Sequence, residues 1–373
     1  MKLLAYPRDD SNPYQRLLYD HMRLAGAQVG YAGCLTASHS LNLLLLPLEL
    51  AIRRVAGYRV LHLHWVHGFS ITGADRVPAL RAVAQAWFAV CLTTMRILGL
   101  RLVWTAHNAL PHEPVFADDM RARRWLVRAC DLVLVHSQSA LDELAGLGLV
   151  PRRSAVVAHG PLAPALPACP QRPGCRAAPR RLVFFGRVRD YKGVEDLLAA
   201  FARLPAAVPA ELLVVGECTD ARVRHNLQRL AARSGSKVTL RLERINDDEL
   251  SQLLAGADAV VLPYRRVTTS GSAVLALGHG RPIVAPNLAG LDDLPGEAVM
   301  RYDGSLDGLA DAIAAIAVAD AAALARMSDA ALRYCATLGW PQIAAVTISE
   351  IESALNPTPD NLVSEDGELD AAH

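Results

Sequence analysis

Short apolar runs and amphipathic segments alternate along the first part of the chain. The runs have the length of buried strands, and the segments between them repeat apolar residues with the period of a helix. Such alternation predicts a parallel sheet covered by helices on both faces. The pattern predicts strands at 2–6, 60–64, 101–105, 132–135 and 156–158, and helices at 13–24 and 139–145.

A proline-rich break separates this series from a second one. Residues 161–180 hold six prolines, which predicts a linker. The alternation then starts again. It predicts strands at 181–185, 211–215, 238–242, 259–262 and 282–285, and helices at 194–202, 221–233, 248–254, 272–277, 309–317, 321–337 and 340–355.

Two such series predict an α/β protein with two Rossmann-like, doubly wound domains facing a central cleft. Ligands of these sheets bind at the carboxyl ends of the strands. We expect an N-terminal domain over 1–162, a linker over 163–180 and a C-terminal domain over 181–339. A last helix, 340–356, is expected to cross back to the first domain, and the acidic tail 357–373 to be disordered.

Composition narrows the class of protein. A hydrophobic fraction of 52% allows a large core, and a net charge of +1 gives no bulk attraction to nucleic acid. Seven scattered cysteines without a CxxC pair argue against a zinc site or a disulfide framework. The start of the chain has the pattern of a first strand and not of a signal peptide, so we expect a cytoplasmic protein.

Two apolar segments, 41–52 and 83–100, raise the question of a membrane. Pro47 and Glu49 interrupt the first, and Gln85 and Arg96 the second. A spanning helix needs about 20 mostly apolar residues, so both are predicted to be buried or amphipathic helices. The alternative that one of them rests on a membrane surface, as a peripheral contact, stays open.

The first segment with candidate chemistry follows the strand 181–185. The strand ends at Gly186, and the loop after it carries Arg187 and Lys192. Glycine lets a phosphate approach the backbone, and the two cations suit a departing diphosphate. A strand–turn–helix with solvated cations is the alternative.

A second segment opens a helix with small residues. Ser270, Gly271 and Ser272 leave room for a phosphate at the free amides of a helix N-terminus. A serine that only caps the helix is the alternative.

Together the two segments resemble the GT-B glycosyltransferases, and most closely the retaining group often called family 4. The similar motifs are Gly186-Arg187-Val188, Lys192-Gly193, Ala200-Phe201 and Gly280-Arg281-Pro282-Ile283-Val284-Ala285, and the resemblance covers most of 180–340. Two glutamates of the family pattern fall at Val267 and Leu275 here, so their roles do not carry over.

The resemblance implies transfer of a sugar from a nucleoside diphosphate, UDP first and GDP second, to a hydroxyl acceptor. Retention is expected, with no metal or other cofactor. Arg187 and Lys192 would stabilise the departing diphosphate. The donor would contact Gly186, Ser270, Gly271, Ser272, Arg244, Ile245, Asn287 and Gly290.

The first domain resembles the family more weakly, through Thr105-Ala106-His107-Asn108. The matching histidine of relatives touches the donor, so His107 is an expected catalytic residue, with Glu113 as the second. Strand alternation places His62 and His64 on one face. With His67 they leave a metal site as one alternative to a cleft wall or to core histidines. The acceptor is expected near Asn12, Tyr14 and His64.

Two other functions remain open at this point. One is a nucleotide-sugar epimerase on the same fold, and the other is a non-catalytic partner subunit that binds a sugar nucleotide. The acceptor of a transferase could be a saccharide, a lipid-linked saccharide or a small natural product. No nucleic-acid partner is expected.

Overall fold

The computed structural model describes residues 1–10, 12–74, 77–111, 114–161, 179–234 and 237–355. The chain divides into two compact units. The first holds Met1–Ala158 together with the helix Trp340–Leu355, and the second holds His159–Gly339. The predicted tail 357–373, and all but the last two residues of the predicted linker 163–180, lie outside the described residues.

The first unit is built on a parallel six-stranded sheet. The strands lie in the order β2-β1-β3-β4-β5-β6. The order reverses between β1 and β3, the point where doubly wound sheets hold their ligands. The strands are β1 Lys2–Tyr6, β2 Gln28–Tyr31, β3 Val60–Leu63, β4 Arg101–Thr105, β5 Leu132–Val135 and β6 Ser154–Val156.

Helices cover both faces of this sheet. They are α1 Pro13–Leu24, α2 His39–Val55, α3 Ala79–Ile97, α4 Asp119–Ala129, α5 Gln138–Gly146 and, from the end of the chain, α12 Trp340–Leu355. Because crossovers between parallel strands are right-handed, α2 to α5 lie on one face and α1 on the other. The helix α12 packs on α1, and α3 packs between α2 and α4.

The second unit repeats this plan. Its parallel strands lie in the order β12-β11-β10-β7-β8-β9, and the order reverses between β7 and β10. Successive residues of β7 enter separate cores on the two faces, Leu182 and Phe184 on one and Val183 and Phe185 on the other. The strands are β7 Arg180–Phe185, β8 Ala210–Val215, β9 Val238–Arg241, β10 Ala259–Val261, β11 Ile283–Pro286 and β12 Val299–Tyr302, and the helices are α6 Val194–Phe201, α7 Ala221–Ala232, α8 Asp247–Ala255, α9 Gly271–Gly278, α10 Leu306–Val318 and α11 Ala321–Thr337.

The α/β class with two doubly wound sheets is confirmed, and the errors in the strands fall mainly at the edges of the sheets. The strand predicted at 156–158 begins two residues earlier, at Ser154, because it pairs with Val133–Val135. The pattern missed β2, β12 and α4. Two of these, β2 and β12, are the outer strands of their sheets, where four residues with mixed burial give little periodicity.

Within the described residues, no single helix combines the length and the apolar composition of a membrane span. One bent pair, α10 with α11 at 108°, meets those criteria jointly.

Candidate active site

The loops after β7 and β10 meet in the second unit where the strand order reverses. The loop after β7 begins at Gly186 and contains a 3₁₀ turn at Asp190–Lys192. The loop after β10 ends at Ser270, which caps α9 by accepting a hydrogen bond from the Ala273 amide at 3.0 Å. Because the two strands are neighbours, their loops share one edge of the sheet. This is the position where such sheets bind nucleotides.

Lys192 lies at the centre of this edge. Its ammonium is so close to Gly186 that a Cβ built there would lie 2.6 Å from Nζ and 3.8 Å from Ser272 Oγ. Gly186 has a φ of +117°, which side chains disfavour. Burial lowers the pKa of Lys192. The cation, the bare glycine backbone and the serine hydroxyl therefore converge on one point.

Tyr264 contacts both Lys192 and Ser270. Its ring centroid lies 5.7 Å from Lys192 Nζ, within the range of a cation–π contact. Its hydroxyl lies 2.9 Å from Ser270 Oγ, and both residues are buried. The sequence interpretation did not single out Tyr264, although an aromatic residue in the polar loop after a predicted strand was a signal for it. Tyr264 links the ammonium to the start of α9.

Arg187 has a different environment from Lys192. Its guanidinium Nε forms an ion pair with Glu217 Oε2 at 3.2 Å, and its side chain is 58% exposed. An exposed ion pair contributes little to stability, so this contact can be exchanged for one with a ligand at low cost. Of the predicted pair, Lys192 is half-buried and Arg187 is exposed at the surface.

The other predicted donor residues are more scattered. Arg244 is exposed and Ile245 half-buried in the loop before α8, and Asn287 is exposed directly after β11. A Cβ at Gly290 would overlap the carbonyl oxygen of Val267, so this glycine allows two loops to pack closely. Gly271 begins α9, beside the Ser270 cap.

A cavity of about 190 Å³ lies beside the same loops, lined in part by Arg189, Glu195, Asp220 and Arg265. Arg265 bonds both carboxylate oxygens of Asp196, at 2.6 and 2.9 Å, and also pairs with Asp190. These contacts fasten the loop after β10 to the start of α6. They position the wall of the cavity next to Lys192, Gly186 and Ser272, which we call the Lys192 cluster.

In the first unit, four histidines and Tyr19 form one hydrogen-bonded series, which we call the histidine chain. Tyr19 OH lies 3.1 Å from His62 Nδ1 and 2.6 Å from His64 Nε2. His64 Nδ1 lies 3.1 Å from His107 Nε2, and His107 Nδ1 lies 3.1 Å from His136 Nε2. At one end of the histidine chain, His62 Nε2 lies 2.7 Å from the Thr105 hydroxyl oxygen. At the other end, His136 Nδ1 lies 2.9 Å from the Val157 carbonyl oxygen.

The ends of the histidine chain fix the protons along it. A carbonyl oxygen only accepts, so His136 Nδ1 carries a proton and its Nε2 accepts from His107 Nδ1. With neutral rings, His107 Nε2 accepts from His64 Nδ1, and His64 Nε2 accepts from the Tyr19 hydroxyl. The Tyr19 oxygen accepts from His62 Nδ1, and His62 Nε2 accepts from the Thr105 hydroxyl. Every ring then has its proton on Nδ1, and all the donations run in one direction. One chain of six bonds satisfies each of these buried groups.

Burial keeps two of these rings neutral. Desolvation lowers the pKa of His62 to about 3, and it lowers the pKa of His64 well below its usual value, with the neighbouring histidines adding to the effect. The rings of Tyr14 and Trp65 pack against His107, with centroids 4.9 Å away in each case. The histidine chain is therefore a buried polar network at the carboxyl edge of the first sheet.

This network bears on several of the predicted site residues. Tyr14 and His64 are each only 2% exposed, so neither offers a surface to an acceptor. Both ring nitrogens of His107 are engaged by histidines, which argues against its role as a general base. Asn12 caps α1 by accepting from the Tyr14 amide at 3.0 Å. Glu113 lies outside the described residues.

The histidines also bear on the alternative of a metal site. Within the described part of the chain, no group of three or more His, Cys, Asp or Glu side chains is arranged to hold a metal ion. His67 is exposed, whereas His62 and His64 are buried.

Comparisons with known proteins agree with this geometry. Residues 179–318 match the family model described as glycosyl transferases group 1. A GDP-mannose:glycolipid 4-beta-D-mannosyltransferase of Xanthomonas campestris pv. campestris is 27% identical over 254 residues, 67% of this chain and 68% of the relative. A glycogen synthase of Mycobacterium tuberculosis is 31% identical over 240 residues, 60% of this chain and 54% of the relative.

Solved structures share the whole fold. Anabaena Alr3699/HepE, solved in complex with UDP, superposes with a TM-score of 0.69 and 17% identity, over 94% of this chain and 99% of the other. The sheets, their switch points and these matches define a hexosyltransferase of the GT-B fold. The match to the group 1 glycosyltransferases lies in residues 179–318, within the second unit.

Proposed function

We propose that this glycosyltransferase moves a mannosyl residue from GDP-mannose to a hydroxyl group of a glycolipid. The name of the Xanthomonas relative supports both substrates, since the match covers two thirds of each chain. UDP, our first expectation from the family resemblance, takes second place. The structural neighbour that holds UDP is only 17% identical, and such a likeness supports the fold alone.

The observation that carries the proposal is the Lys192 cluster at the switch point of the second sheet. When the sugar bond breaks, negative charge grows on the departing diphosphate. The Lys192 ammonium, the amides at the start of α9 and the Ser272 hydroxyl would stabilise that charge. Arg187 would add a second cation by exchanging Glu217 for the ligand. We propose that these groups replace a divalent metal ion.

The histidine chain suggests a positioning role for His107. Its nitrogens hold His64 and His136 in place, so it would present a ring edge at a fixed place and not take a proton from the acceptor. Retention stays a prediction from the family resemblance, while the name of the Xanthomonas relative specifies a β-linked product, which requires inversion at the α-linked mannose of GDP-mannose. The anomeric configuration of the product, read by NMR, tests it, and an inverted product would contradict it.

The test of the proposed function is a transfer assay with the purified full-length chain. GDP-mannose and UDP-glucose are each offered with a panel of long-chain alkyl glycosides, with and without EDTA. We expect mannosylated product from GDP-mannose, formed equally in EDTA. An absence of transfer from GDP-mannose, with transfer from UDP-glucose, would overturn the donor assignment. Incubation without acceptor detects an epimerase.

A further inference from the structure

One surface of the first unit has no part in the proposed reaction. It is the outer side of the layer formed by α2, α3 and α4, which we call the α2–α4 face. On α2, five large aliphatic side chains are at least 42% exposed. They recur every three or four residues and therefore form one row along the helix, consisting of Leu41, Leu44, Leu48, Ile52 and Val55.

The neighbouring helix extends this apolar surface. Trp87 Nε1 of α3 donates to the Leu43 carbonyl of α2 at 2.9 Å, and Arg54 Nε donates to the Leu98 carbonyl at 2.9 Å, so the two helices lie side by side. On α3, Val83, Val90 and Ile97 are exposed at intervals of seven residues. Two adjacent rows of exposed aliphatic side chains exceed the scattered apolar residues of an ordinary surface and mark an interaction site.

Positive charge borders the apolar rows. On α4, next to α3, the exposed residues Arg121, Arg124 and Arg128 follow one another at intervals of three and four. On α2 and α3 the one acidic residue, Glu49, is 1% exposed and binds the Gly33 amide and Arg53.

The space between α3 and α4 is also positively charged. A cavity of about 640 Å³ there is lined in part by Arg96, Arg101, Arg128 and Arg152. Asp131, the acidic residue in that lining, is already paired with Arg101 at 2.7 Å. The cavity can therefore accept an anionic group.

We propose that the α2–α4 face docks on a bilayer of anionic phospholipids. The aliphatic rows of α2 and α3 enter the boundary of the acyl chains, and the arginines of α4 and of the cavity bind headgroup phosphates. A second copy of the chain fits this surface less well, because the carboxylates of this face are already engaged: Glu49 is buried, and Asp118 and Asp119 at the start of α4 accept hydrogen bonds from backbone amides. The inference uses none of the residues assigned to the reaction.

The test is co-sedimentation of the full-length chain with vesicles. Vesicles of phosphatidylcholine alone are compared with vesicles that also contain phosphatidylglycerol. We expect binding to the anionic vesicles that weakens with salt. The double variant Leu48→Glu and Ile52→Glu should lose at least tenfold in partition. Arg124→Gln with Arg128→Gln should lose about fivefold for each arginine.

Matched controls change the same chemistry elsewhere. Val150→Glu alters a 73% exposed aliphatic residue of the same unit outside this face, and Arg326→Gln alters an exposed arginine of α11. Both should bind as the parent does, and thermal melting and GDP binding should be unchanged in every variant. Equal binding by the Leu48→Glu and Ile52→Glu variant would overturn the proposal. So would a concentration-dependent dimer that the same variant dissociates.

Discussion

Acid should destabilise the first unit because the histidine chain keeps His62 and His64 neutral. In the unfolded chain a histidine titrates with a pKa near 6.5, while burial lowers the pKa of His62 to about 3 in the folded chain. The unfolded state therefore binds more protons between these values. Stability is full above about pH 6.5 and falls as the pH decreases toward about 3.

The magnitude follows from the two pKa values. At pH 5 the loss from His62 is about 2 kcal/mol relative to pH 7.5. At that pH the loss depends on the unfolded pKa alone, provided the folded pKa lies well below 5. Burial also lowers the pKa of His64 well below its usual value, so His64 should add to this loss in the same direction.

The assay is urea unfolding followed by tryptophan emission at pH 7.5, 6 and 5. All five tryptophans, Trp65, Trp87, Trp104, Trp125 and Trp340, belong to the first unit, so this signal reports that unit alone. His62→Gln should reduce the acid loss by about 2 kcal/mol at pH 5. His39→Gln, which alters an exposed imidazole of the same unit, should leave it unchanged. A stability that does not depend on pH between 7.5 and 5, or an equal effect of the two variants, would refute the reasoning.

Two further substitutions test the packing on which the sites depend. Tyr19→Phe should destabilise the first unit by about 2–5 kcal/mol in the same urea assay, because it leaves His62 and His64 each with an unpaired buried nitrogen. Tyr31→Phe, a half-buried tyrosine, is the control, and equal stability of the two variants would contradict a linked chain. Gly290→Ala should lower the melting temperature of the second unit, measured by calorimetry, because its Cβ would overlap the Val267 carbonyl. Gly296→Ala, where a Cβ meets nothing within 4 Å, should not, and an unshifted Gly290→Ala would argue against the close loop packing.

The strand and helix pattern was enough to predict the two sheets, because buried parallel strands leave uninterrupted apolar runs such as Leu182–Phe185. The same pattern could indicate that the Lys192 loop and the Ser270 turn follow strands, and neighbouring strands bring such loops together. It could not distinguish Lys192 from Arg187. Which of the two cations is less exposed depends on Tyr264 and Glu217, and these follow other strands.

The histidine chain shows a second limit. Alternation placed His62 and His64 on one face, and both do reach Tyr19. The contact of His107 with His136 depends on the register of β4 and β5, in which Thr105 lies opposite Leu134 two residues before each histidine. A register between strands cannot be read from one strand. For this reason the sequence did not show that other side chains surround the rings of Tyr14 and His107.

The most direct test of the diphosphate site is calorimetric titration of GDP into the chain and into Lys192→Met. Lys237→Met is the matched control, since it removes another lysine of the second unit, one that donates to the Ala206 carbonyl. A charge-assisted hydrogen bond contributes about 1.5–3 kcal/mol, so Lys192→Met should bind GDP about 10- to 100-fold more weakly, with Lys237→Met unchanged. Equal affinity of the parent chain and Lys192→Met would contradict the site.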